Sequence, residues 1–390
     1  MRPDARIAAA IEIVTQILRG AAADRALVAW GKANRFAGSG DRRAIGDVVF
    51  AALRSGDASR DARRMVLSGL ALTHDSQEIA TLFSGARHAP PPLTPDERAA
   101  IGLAAVADPP WLAAALQRAW GDDAPAERAA LQGRAPLDLR VNTLKATRDQ
   151  ALEKLSEDGV IAEPLELTGT ALRVLAGGVD VDNSEAFRLG FVEVQDAGSQ
   201  IAAAALQVHP GESVLDLCAG AGGKTLALAA AMENAGRLLA CDTGAVRLKR
   251  IAGRAARAGA TLIETHLLAD DWLDRPAPFG ETFDAVLVDA PCSGSGTWRR
   301  NPETRARLTE QGLAHLNALQ TRLLAAAAPL VRPGGRLVYV TCSVLPQEDE
   351  DIVAAFLAAH PAFAAGPARR LSPHSTGTDG FFIAPFTRTG

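Results

Sequence analysis

Apolar residues in the first 130 positions recur with the period of a helix. They return every three or four residues through 8–18 and 41–53, and the two tryptophans of 111–120 lie nine residues apart. This spacing places them on one face of an α-helix, and the strict alternation that is typical of a half-buried strand is missing. We therefore predict an all-α domain over residues 1–130.

Short alternating runs begin at residue 137 and change the pattern. Leu139, Val141 and Leu144 flank polar residues, which is typical of a strand that buries one face. We therefore predict a small α+β domain over 131–208. Besides this first strand at 139–144, its predicted elements are strands at 171–175 and 191–194 and helices at 148–158 and 199–206.

Strands and helices alternate from residue 209 onward. Such a β-α-β succession predicts an α/β fold with a doubly wound, mostly parallel sheet over residues 209–390. The predicted strands are 213–217, 236–241, 264–268, 283–288, 335–340 and 381–386, and the predicted helices are 223–233, 245–258, 311–330 and 349–360.

The composition is that of a globular protein with more than one domain. The 390 residues are 48% hydrophobic and 22% charged. No apolar run approaches the roughly 20 residues that a transmembrane helix needs, and the N-terminus lacks a signal-peptide pattern. The four cysteines form no Cys-x-x-Cys pair, which argues against a zinc site and a disulfide framework. We expect a cytoplasmic monomer without a metal or a membrane partner.

Positive charge is concentrated in islands, although the net charge is −4. Residues 1–64 contain 12 Lys and Arg against 7 Asp and Glu. Basic islands can follow a phosphate backbone even on an acidic chain, but each of them could also be an ordinary solvated surface. Smaller basic groups lie at Arg299, Arg300, Arg305 and Arg307, and around Arg140, Lys145 and Arg148.

A glycine-rich turn follows the strand at 213–217. It reads Cys218-Ala219-Gly220-Ala221-Gly222-Gly223-Lys224-Thr225. A Walker A loop would need glycine where Cys218 stands, which argues against nucleoside triphosphate hydrolysis. Asp242 ends the next strand, twenty residues after Gly222, where an acidic residue can accept hydrogen bonds from ribose hydroxyls. NAD and S-adenosylmethionine both carry such a ribose, and Asp270 could face the adenine amino group of either.

Two cysteines, each followed by serine, stand at the ends of predicted strands. Cys292 follows Asp289-Ala290-Pro291, and Cys342 follows Thr341. Ligands bind at the carboxyl ends of the strands in open α/β sheets, so we expect both thiols, Asp289 and the glycine-rich turn at one edge. A single cysteine can be merely a small buried apolar residue. Two at one sheet edge, together with the acidic residue at 216, favour thiol chemistry over hydride transfer.

Methylation of a pyrimidine carbon requires this set of groups. Cytosine C5 becomes nucleophilic only after a thiolate adds at C6, and an acid near N3 stabilises the charge that develops. A base must then remove the C5 proton so that the thiolate can leave. Cys292, Cys342 and Asp289 could supply these groups, and Pro291 fixes the backbone between two of them.

At these residues the chain resembles the RsmB/Nop/Sun family of RNA cytosine-5 methyltransferases. The resemblance implies a class I Rossmann-like methyltransferase domain, with Cys342 as nucleophile, Cys292 assisting elimination and product release, and Asp289 contacting cytosine N3. Lys224 lies in the family's site region. The matching motifs lie at 140–145, 194–196, 216–225, 289–296, 297–302, 341–343 and 379–382.

The resemblance also assigns a cofactor, a partner and their contacts. The cofactor is S-adenosylmethionine, with S-adenosylhomocysteine as product, and the partner is RNA. We expect the cofactor to contact Cys218, Ala219, Gly220, Ala221, Gly222, Gly223, Lys224, Asp242, Arg247, Asp270 and Asp289, and RNA to contact Arg140, Asn142, Arg299, Arg300 and Asn301.

The first 130 residues are similar to the NusB-like RNA-binding domain of the bacterial branch, mainly around 40–54. The small α+β domain corresponds to the family's RRM-like element, although no RNP aromatic signature is visible. The resemblance thus implies 5-methylcytosine formation in 16S rRNA through a covalent adduct of cysteine with C6. The alternatives are tRNA as substrate, a non-catalytic RNA-binding ribosome assembly factor, and a nicotinamide oxidoreductase.

Overall fold

The computed structural model describes residues 1–101, 108–175, 181–275 and 279–389. The chain divides into two compact units. The first unit comprises residues 1–134 together with 297–310, and the second comprises 135–296 together with 311–390. The second and third predicted domains therefore lie in one unit, apart from residues 131–134 and 297–310.

The N-terminal region is helical, and its apolar residues form one core. Ile13, Val14, Ile45 and Val49 are fully buried in that core. Proline occupies the first turn of several helices, where its missing N–H costs nothing. The helices are α1 Pro3–Leu18, α2 Ala23–Ala33, α3 Ser39–Arg54, α4 Ala62–Leu70, α5 Ser76–Leu82, α6 Pro95–Ala100, α7 Pro110–Trp120 and α8 Ala124–Gln132.

A small antiparallel sheet opens the second unit. Its strands pair in the order β2-β3-β1-β4, and Leu139 and Leu172 are buried opposite each other in the central pair. Its elements and the helices around them are β1 Leu137–Val141, α9 Arg148–Glu157, β2 Ala162–Pro164, β3 Ala171–Val174, α10 Glu185–Arg188, β4 Val192–Val194 and α11 Ala197–Ala204.

The remaining elements build a larger sheet and the helices connected to it. They are β5 Ser213–Asp216, α12 Gly223–Ala231, β6 Arg237–Asp242, α13 Ala245–Ala258, β7 Ile263–Leu267, β8 Phe283–Asp289, α14 Glu303–Arg307, α15 Glu310–Ala327, β9 Val331–Thr341, α16 Glu350–Ala359, β10 Phe363–Ala365, β11 Arg369–Leu371 and β12 Phe381–Arg388. The predicted α/β alternation is confirmed, whereas the three-residue strands β2, β10 and β11 were not predicted.

The order of strands in the larger sheet positions the candidate site. It is β10-β12-β9-β8-β5-β6-β7, with β11 paired to β12. Strands β5 to β9 pair in parallel, and β12 runs antiparallel to β9. The order reverses at β5, because β6 pairs on one side of it and β8 on the other. Ligands of such sheets bind outside the carboxyl ends of the strands at this reversal.

Residues 297–310 belong to the first unit although they follow the Cys292 motif in sequence. Arg305 forms an ion pair with Asp108 (2.7 Å), and Arg307 donates to the carbonyl oxygen of Ile17 (2.9 Å). The backbone N–H of Ala23 donates to Glu303 (3.3 Å). Two arginines of the basic group predicted at 299–307 therefore hold the first unit together.

No helix within the described ranges combines the length and the apolar character that a membrane crossing requires. In the same ranges, no cluster of three or more His, Cys, Asp or Glu side chains is arranged to hold a metal ion.

Candidate active site

The two thiols lie in contact at the carboxyl edge of the larger sheet. Cys292 and Cys342 follow the neighbouring parallel strands β8 and β9, in which Asp289 pairs with Val340. Their Sγ atoms are 3.4 Å apart, and both residues are half-buried. The structure thus brings the two predicted thiols together, as expected for residues that follow adjacent parallel strands. The hydrogen bond with Cys342 and then burial raise the pKa of Cys292 well above its usual range.

Asp289 at the end of β8 is paired with Lys224 in the first turn of α12. The Nζ and Oδ2 atoms are 2.7 Å apart. The ammonium group also lies 5.3 Å from the ring centroid of Phe381. Burial alone would lower the pKa of Lys224, but the charge and the hydrogen bond of Asp289 outweigh it, so the pKa is raised. Lys224 therefore stays a cation beside Asp289.

Asp216 at the end of β5 is a completely buried carboxyl group. One oxygen accepts a hydrogen bond from the hydroxyl of Thr225 (2.7 Å), whereas the other has no hydrogen-bond partner among the residues that the structure describes. Burial raises the pKa of Asp216 to about 7, the Thr225 hydrogen bond opposes this, and the charge of Asp289 adds to it. Such a perturbed carboxyl group marks a candidate functional site.

The glycine-rich turn has backbone angles that favour glycine. Gly220 has φ 56° and Gly222 has φ 83°, and a Cβ atom on Gly222 would lie 2.9 Å from Ile251. The N–H of Gly220 donates to Asp242 (2.8 Å), which also accepts from the N–H of Gly244 (2.6 Å). Asp242 therefore holds the turn against the end of β6.

A cleft of about 290 Å³ opens beside this turn. Among the predicted cofactor residues, Gly222 and Asp270 do not line it. Gly222 faces Ile251 instead, and Asp270 is exposed three residues after β7 ends. Ser199 and Pro291 line the cleft without having been predicted, although both lie in or beside quoted motifs. The lining consists of Ser199, Cys218, Ala219, Gly220, Ala221, Gly223, Lys224, Asp242, Arg247, Asp289 and Pro291.

Three of the residues predicted to contact RNA are buried, which corrects that expectation. Arg140 is 3% exposed and donates to the side chain of Gln195 (2.6 Å). Asn142 is 1% exposed and donates to the carbonyl oxygens of Gly190 and Ala258, both at 2.8 Å. Their polar atoms bond to the protein because both side chains point into the second unit. Arg299 is buried in the first unit.

Arg300 and Asn301, the other two candidates for RNA contact, also belong to the first unit. Arg300 is half-buried and Asn301 is exposed. Of the five residues predicted to contact RNA, Asn301 is thus the one with an exposed side chain.

Two family models match the chain. One, described as "16S rRNA methyltransferase RsmB/F", matches residues 203–387. The other, described as "Methyltr_RsmF/B-like, ferredoxin-like domain", matches residues 108–182. Together they cover the larger sheet and most of the small antiparallel sheet.

Two relatives are similar in sequence over about two thirds of the chain. The chain is 38% identical over 258 residues to ribosomal RNA small subunit methyltransferase B of Pseudomonas syringae pv. tomato, covering 65% of this chain and 56% of that protein. It is 34% identical over 286 residues to the protein of the same name in Yersinia pseudotuberculosis, covering 71% of this chain and 65% of the relative. The match spans less than two thirds of either relative's length.

Solved structures share the fold. The crystal structure of PH0851 is 29% identical, matches 99% of each chain and has a TM-score of 0.79. A methyltransferase homolog protein from Pyrococcus horikoshii is 27% identical, covers 76% of this chain and 100% of that one, and has a TM-score of 0.65. These likenesses confirm the predicted α/β fold.

Proposed function

Because the chain belongs to the RsmB/Nop/Sun family, we propose that it is an S-adenosylmethionine-dependent RNA methyltransferase that forms 5-methylcytosine in 16S rRNA. The observation that carries this proposal is the contact between the thiols of Cys292 and Cys342, whose Sγ atoms are 3.4 Å apart. The two loops that carry them lie next to the ion pair of Lys224 and Asp289. Few reactions need two thiols, a carboxylate and a nucleotide-type cleft together.

The cleft beside the glycine-rich turn fits S-adenosylmethionine. Most of the turn lines this cleft, together with Asp242 and Arg247, whose carboxylate and guanidinium groups form an ion pair at 2.9 Å. Gly220, Ala221, Asp242 and Arg247 would hold the cofactor, which supplies an electrophilic methyl group when bound. Asp242 would act in two ways, by contacting the ribose and by keeping the turn in shape.

The thiols would work in sequence on the cytosine ring. The thiolate of Cys342 adds to C6, which pushes electron density to C5 so that C5 can take up the methyl group. Asp289 would lie at the N3 edge, and the Lys224 ammonium group, 2.7 Å from that carboxylate, is a cation that can stabilise the negative charge that develops at N3. Cys292 assists loss of the C5 proton, after which the C6–sulfur bond breaks and the Cys342 thiolate returns.

RNA contact is proposed for the exposed cations where α2 leads into α3. Lys32, Arg35 and Arg43 are exposed there, and the ring of Phe36 is 73% exposed. The nearby Asp41 is neutralised by the N-terminal amino group and Arg6. Cations that track a phosphate backbone together with an aromatic platform for stacking are typical of single-stranded RNA binding.

Methyl transfer from labelled S-adenosylmethionine tests the proposed function. We expect the wild-type protein to label a 16S rRNA transcript at cytosine, and bisulfite sequencing to locate the site. Cys342→Ser should abolish labelling while the affinity for S-adenosylhomocysteine stays within a few-fold. Labelling of tRNA instead of 16S rRNA would show that tRNA is the substrate. Retention of near-normal turnover by Cys342→Ser would overturn the covalent mechanism, and binding of RNA without transfer would favour an assembly factor.

A further inference from the structure

A single buried carboxylate links the loops that carry the two thiols. Glu348 is 0% exposed and lies between β9 and α16. Its Oε1 atom accepts from the backbone N–H of Ser293 (2.8 Å) and from Gln320 (2.9 Å). Its Oε2 atom accepts from the hydroxyls of Ser293 (2.5 Å) and Ser343 (2.6 Å). These two serines directly follow Cys292 and Cys342.

Further hydrogen bonds make the link between the loops continuous. The hydroxyl of Ser343 lies 3.0 Å from that of Ser295, which in turn accepts from the N–H of Val344 (3.0 Å). Gln320 also donates to the carbonyl oxygen of Pro291 (2.9 Å), the residue before Cys292. Both loops are therefore bonded to Glu348 directly after their cysteines, and the Cys292 loop is also bonded to Gln320 directly before its cysteine.

We propose that Glu348 is a positioning residue that sets the spacing of the Cys292 and Cys342 thiols. A role of this spacing in catalysis rests on the proposed function, whereas the control of the spacing by Glu348 does not depend on it. Each loop meets Glu348 one residue beyond its cysteine, so a shift of the carboxylate moves both sulfur atoms. Without it, the hydroxyls of Ser293 and Ser343, the side-chain amide of Gln320 and the backbone N–H of Ser293 each lose one hydrogen bond to a buried acceptor.

Oxidation by diamide measures this spacing without methyl transfer. Diamide takes two electrons and two protons from a pair of thiols, which form one disulfide, and it is reduced to the hydrazine. The contact at 3.4 Å needs only a small movement to reach disulfide length. Peptide mass spectrometry then gives the rate at which the Cys292–Cys342 cross-link forms. It distinguishes this cross-link from any oxidation of Cys218 and Cys241.

Glu348→Ala should slow formation of this cross-link about tenfold or more, since a displacement of about 1 Å can change an intramolecular rate about 100-fold. Glu348→Gln should stay within a few-fold of the wild type, because an amide can accept with its oxygen and donate to the serine hydroxyls. Glu350→Ala is the matched control: it is an exposed acid two residues away, bonded to Arg370.

Two further measurements separate the possible outcomes. Near-ultraviolet circular dichroism and S-adenosylhomocysteine binding report whether the Glu348→Ala protein is folded. If it is not folded, the cross-linking rate of Glu348→Gln still tests the proposal. A folded Glu348→Ala protein with a wild-type cross-linking rate would overturn the proposal, as would a Glu348→Gln protein that cross-links at least tenfold more slowly than the wild type. If the wild type transfers no methyl group but its cross-linking depends on Glu348 as described, the proposed function fails and the positioning role stands.

Discussion

Replacement of Cys292 by alanine should trap the protein on its RNA. In the proposed mechanism Cys342 builds the covalent adduct and Cys292 helps to take it apart. The two Sγ atoms are 3.4 Å apart, which leaves no room for a water molecule between them. In Cys292→Ala, attack at C6 and methyl transfer should proceed, while release of the product should stall.

The structure sets the scale of this effect. Cys292 is half-buried, and its truncation removes one sulfur atom, so the free energy of unfolding should fall by only about 1 kcal/mol. Loss of a positioned acid–base group slows a proton transfer about 10²- to 10⁴-fold, or roughly 3–5 kcal/mol in the activation barrier. A folded protein should therefore accumulate as adduct over many turnover times of the wild type.

A denaturing gel with labelled RNA measures the trapped species. We expect a slow-migrating protein–RNA band with Cys292→Ala and cofactor, and no band with Cys292→Ala/Cys342→Ala. Cys241→Ala is the matched control, since that thiol is fully buried in the core on β6. A folded Cys292→Ala protein that binds cofactor and substrate yet forms no resistant band would refute the two-thiol mechanism.

Three other predictions test the cofactor turn, the buried acid and the RNA surface. Asp242→Ala should weaken S-adenosylhomocysteine binding by about 1–3 kcal/mol, as expected when hydrogen-bonded groups lose their partner, whereas Asp270→Ala should change it little. Equal affinities of the two variants in calorimetry would show that Asp242 does not contact the ribose. Asp216 holds a proton in the folded protein between its ordinary pKa of 3.8 and about 7, so folding stability should fall as pH rises through that window, by up to about 4 kcal/mol, and then level off. Asp216→Asn should remove that slope in urea titrations, and an unchanged slope would contradict the assignment. Phe36→Ala should weaken RNA binding by about 1–3 kcal/mol through lost stacking. Leu72→Ala, which changes another exposed residue of the first unit, should not weaken it. If the two variants gave equal filter-binding curves, RNA would not bind at Phe36.

The position of residues 297–310 changes how the helical region can be tested. Arg305 and Arg307 bind Asp108 and the carbonyl oxygen of Ile17 within the first unit. Deletion of residues 1–130 would therefore leave these arginines without their partners. Point substitutions on the exposed surface, such as those at Phe36, keep the fold and are the cleaner test of RNA contact.

Local pattern was enough to predict the site edge of the larger sheet. A buried parallel strand shows its length and its end as a short apolar run that stops at turn residues, and parallel strands share one carboxyl edge. The motifs at Cys292 and Cys342 each follow such an end, so their meeting could be expected before the structure was known. Asp289 and the glycine-rich turn could be placed at the same edge for the same reason.

Partners distant in sequence decided the rest. Arg140 and Asn142 look like polar surface residues in sequence, but bonds to Gln195, Gly190 and Ala258 hold them inside. Glu348 carries no local signal, because its role depends on a serine 55 residues earlier. The sequence alone determined which elements form and which groups share the sheet edge. The tertiary structure decided which polar side chains are buried and bonded, since a side chain's burial depends on long-range packing that short-range periodicity does not encode.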